Sequence, residues 1–124
     1  MKKILIIEDD EVIQVILKEI LVEEGYKIEA IRNGDDLENK ILFSMPDFII
    51  TDILLPDVFG FELLSVFKNE KLKQIPKIVI SSMDTDDARY FAGAINAKCL
   101  LEKPLQIEVL KNIINNELMN RVAI

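Results

Sequence analysis

The sequence predicts an α/β domain built on a five-stranded parallel sheet with helices on both faces. Short runs of Ile, Leu and Val alternate with longer stretches of helical period, the pattern of repeated βα units. Several of those runs are apolar without interruption, as strands are when helices cover both of their faces. A length of 124 residues, half hydrophobic and 30% charged, fits one globular domain spanning 1–124.

The strands are expected at Lys3–Ile7, Tyr26–Ile31, Phe48–Thr51, Lys77–Ser81 and Cys99–Leu101. Only the second alternates, through Ile28 and Ala30, which places it nearer an edge. The first helix is expected from Glu11 to Glu24, with Val12, Ile13, Ile16, Leu17, Ile20 and Leu21 on one stripe and Gly25 as its stop. A second helix, near Asp35–Phe43, ends before Met45-Pro46; a third begins near Gly60 with Phe61, Leu64 and Phe67 turned inward. Pro76 marks the entry to the fourth strand, and the fourth helix runs over Asp86–Ala94 with Asn96 as a left-handed exit. The fifth helix carries Ile107, Leu110, Ile113, Ile114 and Leu118 toward the sheet. Helical spacing assigns Tyr90, Phe91 and Ile95 to the core.

Composition removes several classes of function. A formal net charge of −7 makes the surface a poor match for nucleic acid phosphates, so direct DNA binding is not expected. No apolar run approaches the roughly 18 residues of a membrane span, and the opening Met1-Lys2-Lys3 run stops at Glu8-Asp9-Asp10-Glu11 without a cleavage site. Cys99 is the single cysteine, which excludes a disulfide within the chain and suits a reducing compartment. It reads as a small buried apolar residue, and the cytoplasm is the expected location.

In open parallel sheets, the loops after the carboxyl ends of the strands gather at one crevice. Those ends carry Glu8, Asp9 and Asp10, then Asp52, then Ser81-Ser82, then Lys103-Pro104. Crowded carboxylates repel unless a cation offsets them, and Mg²⁺ takes oxygen ligands while keeping several waters. Asp9 and Asp52 are the expected direct ligands, with Glu8 acting through water; Mn²⁺ is the second candidate. Asp52 can also attack a phosphoryl group, Lys103 can pair with one phosphoryl oxygen, and the Ser81 hydroxyl can bond another. An ordinary explanation exists for each piece taken alone. Acidic residues favour helix starts, with Asp10 the best cap; Asp52 could be a turn residue, Lys103 a solvated lysine, and the two serines a strand end.

Four pieces, in order, resemble the receiver domain of two-component response regulators over nearly the whole chain: Ile4-Leu5-Ile6-Ile7-Glu8-Asp9-Asp10, Thr51-Asp52-Ile53-Leu54-Leu55-Pro56-Asp57-Val58-Phe59-Gly60, Ile80-Ser81-Ser82 and Leu101-Glu102-Lys103-Pro104. The resemblance implies a flavodoxin-like (CheY-like) sheet in the order 2-1-3-4-5 and phosphorylation of Asp52 by a histidine kinase or histidine phosphotransfer protein. It further implies Mg²⁺ held by Glu8, Asp9, Asp52 and the carbonyl of Leu54, a phosphoryl contact from Lys103, and a cis Lys103-Pro104 bond. Ser81 would be the switch hydroxyl. The face formed by the fourth helix, fifth strand and fifth helix would carry the downstream protein contact, or a homodimer.

The chain departs from the family pattern in three respects. Leu100 stands where an aromatic switch residue is usual, Ser82 where a small Ala is common, and Leu54 and Met83 flank the approach of hydrolytic water. Two apolar side chains there predict a long-lived phosphoryl state. Leu100 mildly favours a rival, a pseudo-receiver that binds partners without phosphorylation. A haloacid dehalogenase-type phosphatase would need an Asp where Leu54 stands, and a flavin carrier would need a Ser/Thr/Gly-rich loop where Glu8-Asp9-Asp10-Glu11 stands. No histidine is present to act as phosphodonor. With little chain after the fifth helix, the expectation is either a stand-alone receiver or one excised from a longer protein.

Overall fold

The computed structural model describes residues 1–53, 60–83 and 85–119. Strands β1 (Lys3–Ile7), β2 (Lys27–Ile31), β3 (Phe48–Asp52), β4 (Lys77–Ser81) and β5 (Leu100–Glu102) form a parallel sheet in the order β2-β1-β3-β4-β5. The helices are α1 (Glu11–Glu23), α2 (Leu37–Ser44), α3 (Gly60–Val66), α4 (Glu70–Lys73), α5 (Asp86–Ala94) and α6 (Ile107–Leu118). This is the flavodoxin-like order that the family resemblance implied, with α5 and α6 as the expected fourth and fifth helices.

Strand alternation divides the core into two layers. Leu5, Ile7, Ile49 and Val79 meet Leu37, Ile41, Leu63, Phe67 and Phe91 on one face. Ile4, Ile6, Phe48, Ile50, Ile78 and Ile80 meet Leu17, Leu21, Leu110 and Ile114 on the other. The three inner strands are thereby buried on both sides and fix the strand ends in place. The Asp10 side chain caps α1 by accepting from the amides of Val12 and Ile13. Gly25 ends that helix at φ +95°, and Asn96 ends α5 at φ +60°.

Several expectations are corrected. The α1 stripe is narrower than six residues: Leu17 and Leu21 are buried, while Val12 and Ile16 are 66% and 45% exposed. One flat sheet surface covers a single side of a helix, and these two residues lie beside it. Phe91 and Ile95 are core residues, but Tyr90 is 77% exposed, since neighbours in a helix point about 100° apart and only one can face the sheet. Cys99 is half-buried against the second layer, with its thiol pushed up by that burial. β5 begins one residue later than expected, and the single-turn α4, capped by Asn69 on the Lys71 amide, was not anticipated. The expectations for Leu54 and for the Phe61 side chain lie outside the described residues. Among the described residues, no helix is long and apolar enough to cross a membrane.

Candidate functional site

The carboxyl ends of β1, β3 and β5 bring Glu8, Asp52 and Lys103 together. Glu8 follows the last residue of β1 and is fully buried, Asp52 closes β3 at 5% exposure, and Lys103 follows β5. The Lys103 ammonium donates to Glu8 Oε1 at 2.5 Å and to Asp52 Oδ2 at 2.8 Å. Asp9 is exposed beside them, and one carboxylate oxygen from each of Glu8, Asp9 and Asp52 lies within 4.8 Å of the others. Three hard oxygen donors around one point, one of them open to solvent, fit a hydrated Mg²⁺ or Mn²⁺.

Removal from water and a hydrogen bond with Asp52 push the Glu8 carboxyl up to about 7, against the opposing pull of Lys103. Burial works against the charge of Lys103, but its hydrogen bonds to Asp52 and Glu8 and the charge of both carboxylates outweigh it and hold the ammonium above the usual lysine value. The lysine thus offsets, as a cation, part of the negative charge gathered here.

The loops around this cluster are tied down by their own polar groups. The Asp9 amide donates to Glu8 Oε2 at 3.0 Å, and the Thr51 hydroxyl donates to the Asp52 carbonyl at 2.9 Å. The side-chain amide of Gln14 donates to the Glu8 carbonyl, and the Glu8 amide donates to the Ile31 carbonyl at 2.9 Å. Sequence reasoning passed over Gln14. The available signal was a polar residue beside the inward-facing Ile13 and Leu17, one turn into the helix that follows the acidic loop.

Ser81 ends β4 fully buried, and its hydroxyl donates to the Met83 carbonyl at 2.7 Å while accepting from the Met83 amide at 3.1 Å. In this state it is engaged within its own loop. Leu100 is half-buried and packs against the first apolar layer, while Ser82 and Met83 are exposed. The Lys103-Pro104 peptide bond is cis. Leu54 lies outside the described residues.

A buried aspartate at a strand end, flanked by two acidic residues and joined to the buried one of them by a bridging lysine, on a parallel sheet of this order, defines a signalling receiver. The family model of the response regulator receiver domain matches residues 4–115, and the chain belongs to that family. It is similar to the probable transcriptional regulator ycf29 of Pyropia yezoensis, 31% identical over 115 residues that make up 92% of this chain and 52% of that protein. It is also similar to the polar-differentiation response regulator DivK of Brucella anthropi, at 29% identity over 86% of this chain and 87% of that protein. The solved signal receiver domain of a signal transduction histidine kinase from Syntrophus aciditrophicus matches with a TM-score of 0.84 at 29% identity, covering 99% of this chain and 96% of that one. The chain spans about half the length of the first curated relatives it matches.

Proposed function

We propose that this receiver domain accepts a phosphoryl group on Asp52 in a divalent-metal-dependent reaction, and that the modified domain changes its protein contacts. The observation that carries this reading is the bridge from Lys103 to both Glu8 and Asp52, with Asp9 alongside. A structural lysine needs one partner, whereas this one faces the acceptor carboxylate and the carboxylate that helps form the metal cluster.

A carboxylate oxygen of Asp52 attacks the phosphorus of the donor, the P–N bond of a phosphohistidine breaks, and the imidazole leaves with the bonding electron pair. Glu8, Asp9 and Asp52 would hold Mg²⁺ or Mn²⁺, with the Leu54 carbonyl as the ligand implied by family membership. Such an ion supplies charge screening for the approaching anion. Lys103 is placed to shift from Asp52 toward a phosphoryl oxygen, since its ammonium already reaches the acceptor. The Ser81 hydroxyl would leave the Met83 carbonyl to meet another oxygen, loosening the start of the loop that leads into α5.

The donor is a histidine kinase or a phosphotransfer protein, and the α5–β5–α6 face, with exposed Tyr90, is the surface whose contacts would change. We place the protein in the cytoplasm, acting on proteins rather than nucleic acid. A second reading, a module that binds without phosphorylation, is favoured by Leu100 alone, which has no hydroxyl to report the state of Ser81.

The test is incubation with acetyl phosphate, with and without Mg²⁺, followed by intact mass. A gain of one phosphoryl group that requires Mg²⁺ and is lost in Asp52→Asn supports the acceptor. No gain, where a known receiver is labelled in parallel, overturns it in favour of the second reading.

A further inference from the structure

β2 is an edge of the sheet, and its outward backbone is chemically specific. The Lys27 amide donates to the Lys2 carbonyl and the Ile31 carbonyl accepts from the Glu8 amide, so the odd-numbered residues of β2 turn their polar backbone groups inward to β1. In a parallel pair each residue directs its N–H and C=O to the same side, and the amides and carbonyls of Ile28 and Ala30 therefore point away from the sheet. Among the described residues, no further strand pairs with them.

Both sides of this edge carry uncovered apolar surface. On the α2 side, Phe43 is 94% exposed and lines a groove of about 460 Å³ with Glu29, Ile31 and Lys40; Met45 is exposed close by in sequence. On the α1 side, Val15 and Lys18 line a smaller groove against Ile28 and Ala30, and Val15 and Val22 are both more than half exposed. An unpaired edge flanked by apolar residues on both faces invites another strand.

We propose that the occupant is a second copy of this chain, its β2 pairing antiparallel with the first across a two-fold axis centred on Ile28. Charge selects both the partner and the register. Facing residues in an antiparallel pair lie on the same side of the sheet, so the axis must fall on a residue. Centred on Glu29, it sets Glu29 against its own copy; centred on Lys27, it sets lysine against lysine; centred on Ala30, it sets Glu29 against Ile31. Centred on Ile28, it sets Lys27 against Glu29 of the second copy and Glu29 against Lys27, while the outward groups of Ile28 exchange two hydrogen bonds with their counterparts. The same operation brings α1 beside α1 and α2 beside α2, covering Val15 and Phe43 twice over, as a closed two-fold contact does. The result is one continuous ten-stranded sheet. This surface is separate from the α5–β5–α6 face and from the acceptor site, so its pairing does not require phosphorylation.

Sedimentation velocity of the full chain over a range of concentrations, without metal or phosphodonor, tests this. The expected result is a reversible dimer that Lys27→Glu shifts to monomer, since exposed Lys27 can change without loss of fold. Glu29→Lys alone also gives monomer, and mixing the two variants restores a dimer because each facing pair is again opposite in charge. Glu29 bonds Ser44 and Lys3, so circular dichroism of that variant accompanies the mixing, and Lys27→Glu alone decides the matter if it is unfolded. A monomer at every concentration, or a dimer that Lys27→Glu leaves intact, overturns the proposal.

Discussion

The Lys103 ammonium sits between two carboxylates, 2.5 Å from Glu8 and 2.8 Å from Asp52, although the three residues come from the ends of three different strands. Two acids and one base share that space, and the surplus acid has a measurable consequence.

Glu8 holds its proton up to about pH 7 when folded, against a usual value of 4.5. Between those values the folded state binds a proton that the unfolded chain has released, so stability falls as pH rises from about 4.5 to about 7. The loss for this group is at most about 3 kcal/mol. Thermal melts of the metal-free protein across that window should show the decline, and Glu8→Gln should flatten it. Mg²⁺ should restore stability most at the upper end, where it no longer competes with the proton.

Lys77 lies at the opposite end of the sheet, with its ammonium 5.0 Å from the centre of the Phe67 ring and 3.4 Å from the Lys73 carbonyl. Burial, assisted by the charge of Lys98, brings it down to about 8. Here the unfolded chain holds the extra proton between pH 8 and 10.5, so stability contributed at this position rises across that interval. Lys77→Met should stabilise the protein at pH 7 by roughly 1–3 kcal/mol and remove this rise. Denaturant titrations of both proteins at pH 7 and above check it.

Met45 ends α2 in the left-handed region at φ +44°, with its amide donating to the Ile41 carbonyl at 2.8 Å. Glycine adopts that conformation without the crowding of a Cβ, and the half-exposed Met45 side chain contributes little packing. Met45→Gly should gain up to about 1 kcal/mol in stability, read as a higher urea midpoint with an unchanged slope.

Met83, at the position that the family resemblance sets beside the approach of hydrolytic water, is 53% exposed in the loop after β4, and its apolar side chain would offer such a water no hydrogen bond. The phosphorylated protein should therefore lose its phosphoryl group slowly, and Met83→Asn should shorten the half-life several-fold when decay is followed by intact mass.

The parts of the fold written in local pattern were legible. β1 and β4 are continuous apolar runs, and they lie where those runs do. α4 was not legible, because four residues cannot display a helical period. Tyr90 and Phe91 are adjacent and similar in character, so periodicity put both inside, and only packing against the sheet distinguished them. At the site, the strand-end rule was enough to gather Glu8, Asp9, Asp52 and Lys103. The direction of the Ser81 hydroxyl toward Met83 and the reach of Gln14 to the Glu8 carbonyl depend on rotamers and loop backbone that no spacing encodes.

The most direct test of the central claim is to locate the phosphoryl group. Protein treated with acetyl phosphate and Mg²⁺ is reduced with borohydride, which converts an acyl phosphate to the alcohol, and is then digested and mapped by mass. The account predicts the change on the peptide carrying Thr51-Asp52-Ile53, at Asp52 and absent without Mg²⁺. A change at Asp9, a stable phosphate on the hydroxyl of Thr51 or Ser81, or an unmodified digest would contradict it.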